Sequence, residues 1–151
     1  MPDLDSTALR ATLERAADAG FYGFSGRCGQ AAVAINRVLL DGRGSLVGAF
    51  NAAFHARGRL IGHVAVQVGD RYWDSDARPK SADEILSWGM LDPDDPDYIA
   101  LAEHFGLTWD EDAAAEVTFV TLSEAEALAA WGAGSLDVLE AQLAAALPTD
   151  A

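Results

Sequence analysis

The sequence predicts an α+β fold with a helix that opens at a cysteine, a small antiparallel sheet and additional helices toward the C-terminus. Three observations predict it. Apolar residues recur at helical spacing near both ends of the chain, the run His63-Val-Ala-Val-Gln-Val68 alternates into a Gly69-Asp70 turn, and Ser81/Glu84 and Ser123/Glu126 have the form of capping boxes. The 151 residues, half of them apolar, are enough for one domain over 1–151. Its chemistry-bearing core is expected at about 22–78, with a helical and strand elaboration at about 79–147.

The first helix is expected from about Ser6 to Ala19, capped by Asp5 or Ser6 and stopped at Gly20, with Leu9, Leu13, Ala16 and Ala17 facing the core. A loop mixing glycine and aromatics, Phe21 to Arg27, delivers the chain to a second helix at about Cys28–Leu40. There Val33, Ile35, Val38 and Leu39 supply the apolar face. Strands follow at Leu46–Phe54 and Leu60–Val68, and Gly69-Asp70 turns the second of these into a third at Arg71–Asp76. The acidic run Asp92 to Asp97 reads as a solvated loop before a helix at Asp97–Phe105, and Glu116–Leu122 as the fourth strand. In the last helix Leu136, Leu139, Leu143 and Leu147 form a stripe that packs on the domain or on a second copy of the chain.

A net charge of −14, from 24 acidic against 10 basic residues, would repel phosphate backbones and anionic membrane surfaces, so nucleic acid and membrane are not expected partners. The one cysteine cannot form an intramolecular disulfide, the N-terminus lacks a signal-peptide pattern, and no apolar run approaches about 18 residues. A cytoplasmic protein is expected.

Cys28 carries the first element of a chemical pattern. A thiol in the first turn of a helix faces unpaired N–H groups and the positive end of the dipole, which favour thiolate, and Arg27 is adjacent. The competing reading is a small buried hydrophobe. Alternation places His63, Ala65 and Gln67 on one sheet face and Val64, Val66 and Val68 on the other. If Gly69-Asp70 is a two-residue turn, Val68 pairs with Arg71, Ala65 faces Asp74 and His63 faces Asp76. Both aspartates then share the histidine's face. Asp74 is the first choice as the carboxylate that orients the imidazole, because it follows Tyr72-Trp73 within the strand. Asp76 is the alternative, turning out toward Pro79. His55 and His104 read as surface residues. The four tryptophans, Trp73, Trp88, Trp109 and Trp131, read as core packing or the lining of a cleft. No close-paired His or Cys motif indicates a metal, and no cofactor is expected.

Tyr22-Gly-Phe-Ser-Gly-Arg-Cys28-Gly-Gln30 leading into an apolar helix, followed by His63-Val-Ala-Val-Gln-Val-Gly-Asp-Arg-Tyr-Trp-Asp74, resembles the catalytic core of papain-like cysteine enzymes. The similarity covers about residues 22–76, and its closest branches are the transglutaminase-like and NlpC/P60-like groups. It implies Cys28 as nucleophile, His63 as general base and Asp74 as orienter. Papain-type enzymes place a glutamine upstream of the nucleophile to bind the oxyanion, and this chain has none before Gln30. The Cys28 N–H and the Tyr22 hydroxyl are the candidates for that role, Tyr22 with the alternative of packing beside Phe21 and Phe24.

Two functions follow as expectations. One is a cysteine hydrolase or acyltransferase acting on a protein, peptide or small amide through a thioester, in the manner of a thiol protease or amidase. The other is a binding or regulatory module on the same scaffold without turnover, pairing into a homo-oligomer through the C-terminal helix.

Overall fold

The structure, a computed structural model, describes residues 6–22, 27–131 and 136–148. Asp5 and the Gly23-Phe-Ser-Gly26 approach to the cysteine, like the Trp131 side chain, lie outside the described residues.

The fold is α+β, with helices on both faces of one antiparallel sheet. Helix α1 (Ser6–Asp18) buries Leu9, Thr12, Leu13 and Ala16 and ends before Gly20, whose φ of 99° favours glycine. Ala17 is exposed, and Thr12 takes the core position expected of it: Thr12 and Ala16 lie four residues apart on one face, whereas Ala17 is rotated about 100° away. Helix α2 (Cys28–Val38) is buried continuously from Cys28 to Asn36, small residues allowing close approach on several sides.

Strands β1 (Ser45–Asn51), β2 (Gly62–Val68), β3 (Arg71–Trp73) and β4 (Val117–Leu122) form a sheet in the order β3-β2-β1-β4. The Gly69-Asp70 turn sets Val68 opposite Arg71 and Val66 opposite Trp73, the register that a two-residue hairpin requires. All three hairpin-core strands are shorter than their sequence patterns. β1 stops at Asn51 rather than Phe54, because the Asn51 side chain accepts the Phe54 N–H at 3.2 Å and starts the short helix α3 (Ala52–His55). β2 starts at Gly62 rather than Leu60, and β3 ends at Trp73 rather than Asp76. β4, from the expected elaboration, lies against β1, so the sheet is not completed by residues 22–78 alone.

Leu46, Phe50, Val64, Val66 and Trp73 form the sheet's contribution to the main core. Ala31, Val33 and Ile35 of α2 join the same core, and Leu136, Leu139 and Leu143 of α8 (Leu136–Ala146) extend it from the helical layer. Each buried Val, Leu, Ile or Phe side chain among them contributes about 1.5–3 kcal/mol by leaving water. The leucine stripe of α8 is therefore used within the fold, against α1 and α2, leaving Leu147 exposed at its end. On the other sheet face Val47, Ala49, Ala65 and Tyr72 pack with Ile85 of α4 (Ala82–Leu86). Ser81 and Glu84 cap α4 reciprocally, and Ser123 and Glu126 do the same for α7 (Glu124–Trp131). Helices α5 (Pro96–Phe105) and α6 (Glu111–Ala115) begin at the capping side chains of Asp95 and Asp110, and α6 is a helix that the sequence pattern does not predict. No helix among the described residues is long and apolar enough to cross a membrane.

Candidate active site

Cys28 is the first residue of α2, preceded by Arg27 with no side-chain cap on the helix end. It lies only 5% exposed, in the core beside Val64 and Val66. The Asn51 N–H to Ile61 carbonyl bond, with Ala49 opposite His63, directs the backbone groups of Ile61, His63 and Ala65 toward β1. Alternation then directs the Val64 N–H toward β3. Because β3 has ended at Trp73, that N–H has no ladder partner, and the Cys28 sulfur receives it. The sulfur is thus held on the peptide bond that joins His63 to Val64.

His63 is buried on the α4 side of the sheet, and its Nε2 lies 2.8 Å from Asp74 Oδ2. Gly62 makes that position attainable: with φ of 156°, a Cβ there would collide with the Ala49 carbonyl oxygen on the neighbouring strand. The Trp88 ring stacks over the imidazole, centroids 4.8 Å apart and planes 28° apart, from the 3-10 turn Ser87–Gly89. Gly89 lets this turn lie against β1, since a Cβ would meet Val117 and the Phe50 backbone at 2.7–3.1 Å.

Asp74 follows β3 directly and is 2% exposed. Its Oδ1 accepts the Lys80 ammonium at 2.7 Å and the Asp76 N–H at 2.9 Å, so one oxygen is held by the loop and the other meets His63. Burial pushes the Asp74 carboxyl upward, but the hydrogen bonds from His63 and Lys80 outweigh it and hold the group below the ordinary aspartate range. Asp76 is 49% exposed on its side chain and pairs with Arg78 and Lys80 instead of His63. Of the two carboxylates, the structure brings Asp74 to the imidazole.

The thiol departs from its sequence expectation. Burial is the largest influence on Cys28 and raises its pKa above the ordinary value. The N–H groups of Val64, Gly29 and Cys28 itself pull it down, the Asp74 carboxylate adds to the rise, and the net direction is upward. The helix terminus acts as expected on the sulfur, but desolvation of a buried thiolate costs more than those N–H groups return.

Tyr22 is exposed and adjoins the residues that are not described. His55 is half-buried and stacks on Phe50 at 5.8 Å, and His104 is exposed against the edge of Phe105. Trp73 lies in the core, and Trp109 packs on Phe54 at 5.1 Å. Two residues of the cluster escaped the sequence reading. Lys80 stands out only as the sole lysine beside nine arginines, and Trp88 only as one of four tryptophans. Among the described residues no group of three His, Cys, Asp or Glu side chains is arranged to hold a metal ion.

No family model, no curated protein and no solved structure matches the chain.

Proposed function

We propose that the chain is a papain-like cysteine hydrolase or acyltransferase, a single domain that cleaves or exchanges an amide, peptide or isopeptide bond through a thioester. One observation carries the reading. A buried imidazole bonded to a buried carboxylate sits on the same peptide bond that holds the sulfur of a helix-start cysteine.

In this mechanism Asp74 engages Nε2, so the proton exchange with the thiol falls to Nδ1 of His63. The Cys28 S–H proton passes to Nδ1 as the sulfur forms its bond to the carbonyl carbon. The oxyanion faces first-turn N–H groups of α2, with the Tyr22 hydroxyl as a further candidate donor. Collapse of the adduct breaks the C–N bond, and the departing amine takes the proton from His63, leaving a thioester. Water or a second amine, deprotonated by His63, attacks the thioester carbonyl, the C–S bond breaks, and the Cys28 sulfur takes the proton back from His63 as acid or amide is released. Protein, peptide and small amide substrates are the expected classes, and a reduced lone cysteine fits a cytoplasmic setting. The transglutaminase-like and NlpC/P60-like branches share every one of these steps.

The test is trapping of the acyl intermediate. Incubated with activated amide and ester substrates, the wild type should gain the acyl mass on Cys28, and Cys28→Ala and His63→Ala should not turn over. Turnover equal in all three would remove the reading.

The second reading, a binding module without turnover, is favoured by the burial of Cys28 and the upward shift of its thiol. It requires that Cys28→Ala leave every activity and binding property unchanged.

A further inference from the structure

We propose that Lys80 is a positioning residue of this site: its buried ammonium offsets the Asp74 carboxylate and holds its Oδ1, so that Oδ2 is the oxygen presented to His63. The inference rests on the proposed roles of His63 and Asp74, but its central measurement needs no turnover.

Lys80 is a buried cation on a fixed backbone. Its N–H and carbonyl both bond to Tyr72, at 2.8 and 3.0 Å, closing the 74–79 loop and turning the side chain beneath it. Its Nζ meets Asp74 Oδ1 at 2.7 Å, with longer contacts to the Asp76 carboxylate at 3.3 Å and carbonyl at 3.4 Å. Lysine is almost never fully buried unless paired, and the only lysine of this chain is spent on the carboxylate that faces the histidine. By occupying Oδ1 together with the Asp76 N–H, it leaves Oδ2 as the oxygen presented to His63.

The charge balance follows from the groups around His63. Helix α2 brings Cys28 to the peptide bond joining His63 to Val64, and the loop after β3 brings Asp74, with Lys80 and the half-exposed Asp76 behind it. The 3-10 turn brings the uncharged Trp88, and β1 carries no ionisable residue. Helix α4 carries Asp83 and Glu84, the latter paired with Arg78, and Arg71 of β3 is exposed at the far end of the hairpin. The ammonium lies on Asp74 at 2.7 Å and on the half-exposed Asp76 at 3.3 Å, so Asp74 is the buried carboxylate that it offsets, and removing it leaves that carboxylate facing His63 without a buried counter-charge.

The experiment is an NMR titration of the three histidines, His63 being assigned by His63→Ala, in wild type, Lys80→Met and Lys80→Arg. Lys80→Met should take up the His63 proton at a pH about 1–2 units higher, and Lys80→Arg should restore the wild-type midpoint. A folded Lys80→Met with an unmoved His63 midpoint overturns the inference. Should that variant fail to fold, the wild type decides. The single lysine gives a single side-chain ammonium signal, which should inflect as His63 titrates and lose that inflection in His63→Ala. A signal with no such inflection overturns the inference as well. Coupled titration in a chain whose turnover survives Cys28→Ala would leave Lys80 in its role and remove the hydrolase reading alone.

Discussion

Asp74 Oδ2 lies 2.8 Å from His63 Nε2 although Asp74 is outside the strand that pairs with His63's own. The contact depends on the chain leaving β3 after Trp73 and being held by Lys80 and the Asp76 N–H, rather than on a cross-strand pair. Orientation of the histidine and loop closure are therefore one device.

This arrangement separates the two aspartates. Asp74→Asn should lower thioester formation by about two orders of magnitude or more, because an amide neither fixes the imidazole tautomer nor stabilises the imidazolium. Asp76→Asn should stay within about twofold. Single-turnover rates measure both, and the opposite ranking would move the orienting role to Asp76.

The same substitution tests the ion pair. Asp74→Asn leaves the buried Lys80 ammonium with only the longer contact to the half-exposed Asp76 carboxylate and should cost about 3 kcal/mol in urea unfolding. In Asp74→Asn/Lys80→Met most of that loss should return, whereas thioester formation should not. Additive stability losses would show that the two side chains do not act as a pair.

Acid should weaken the fold through Asp74. Its folded-state pKa is depressed, so its contribution is fully present above the unfolded value of about 3.9 and is lost as pH falls through the lower folded value. Unfolding free energy should drop below about pH 4 in wild type and drop less steeply in Asp74→Asn. Equal slopes would assign acid lability to other carboxylates.

Cys28 should alkylate with a midpoint above that of an ordinary thiol, about 8.5, since burial outweighs the N–H groups on the sulfur. Rates of iodoacetamide labelling against pH measure it. A midpoint below neutrality would mean that an imidazolium partner overcomes burial in the resting site.

Gly62→Ala should displace β2 from β1 next to His63, because the added methyl meets the Ala49 carbonyl oxygen and the backbone lies in a region that L residues avoid. A loss of about 2 kcal/mol or more is expected in urea unfolding, with thioester formation reduced beyond that of a control Gly69→Ala at the hairpin turn. Wild-type stability and rate in Gly62→Ala would show that the strand tolerates the methyl.

The sequence by itself determined the features that a few neighbouring residues encode. Gly69-Asp70 between alternating runs set the register of Val68 and Arg71, and the Ser81/Glu84 and Ser123/Glu126 pairs set two helix starts. The helix at Cys28 was also legible locally. Asp74 meets His63 for a reason other than strand spacing, which sets Asp76 opposite the histidine: β3 ends at Trp73, and Asp74 reaches the imidazole from the loop that follows. Strand lengths were not: Asn51 ends β1 because its side chain also donates to the Ala113 and Ala114 carbonyls, which arrive from distant sequence. Only the tertiary structure brought Lys80 beneath Asp74, Trp88 over His63 and β4 beside β1. It also decided the sign of the shift at Cys28, because hydrogen bonds to a helix start are local, whereas desolvation depends on which remote segments close over the sulfur.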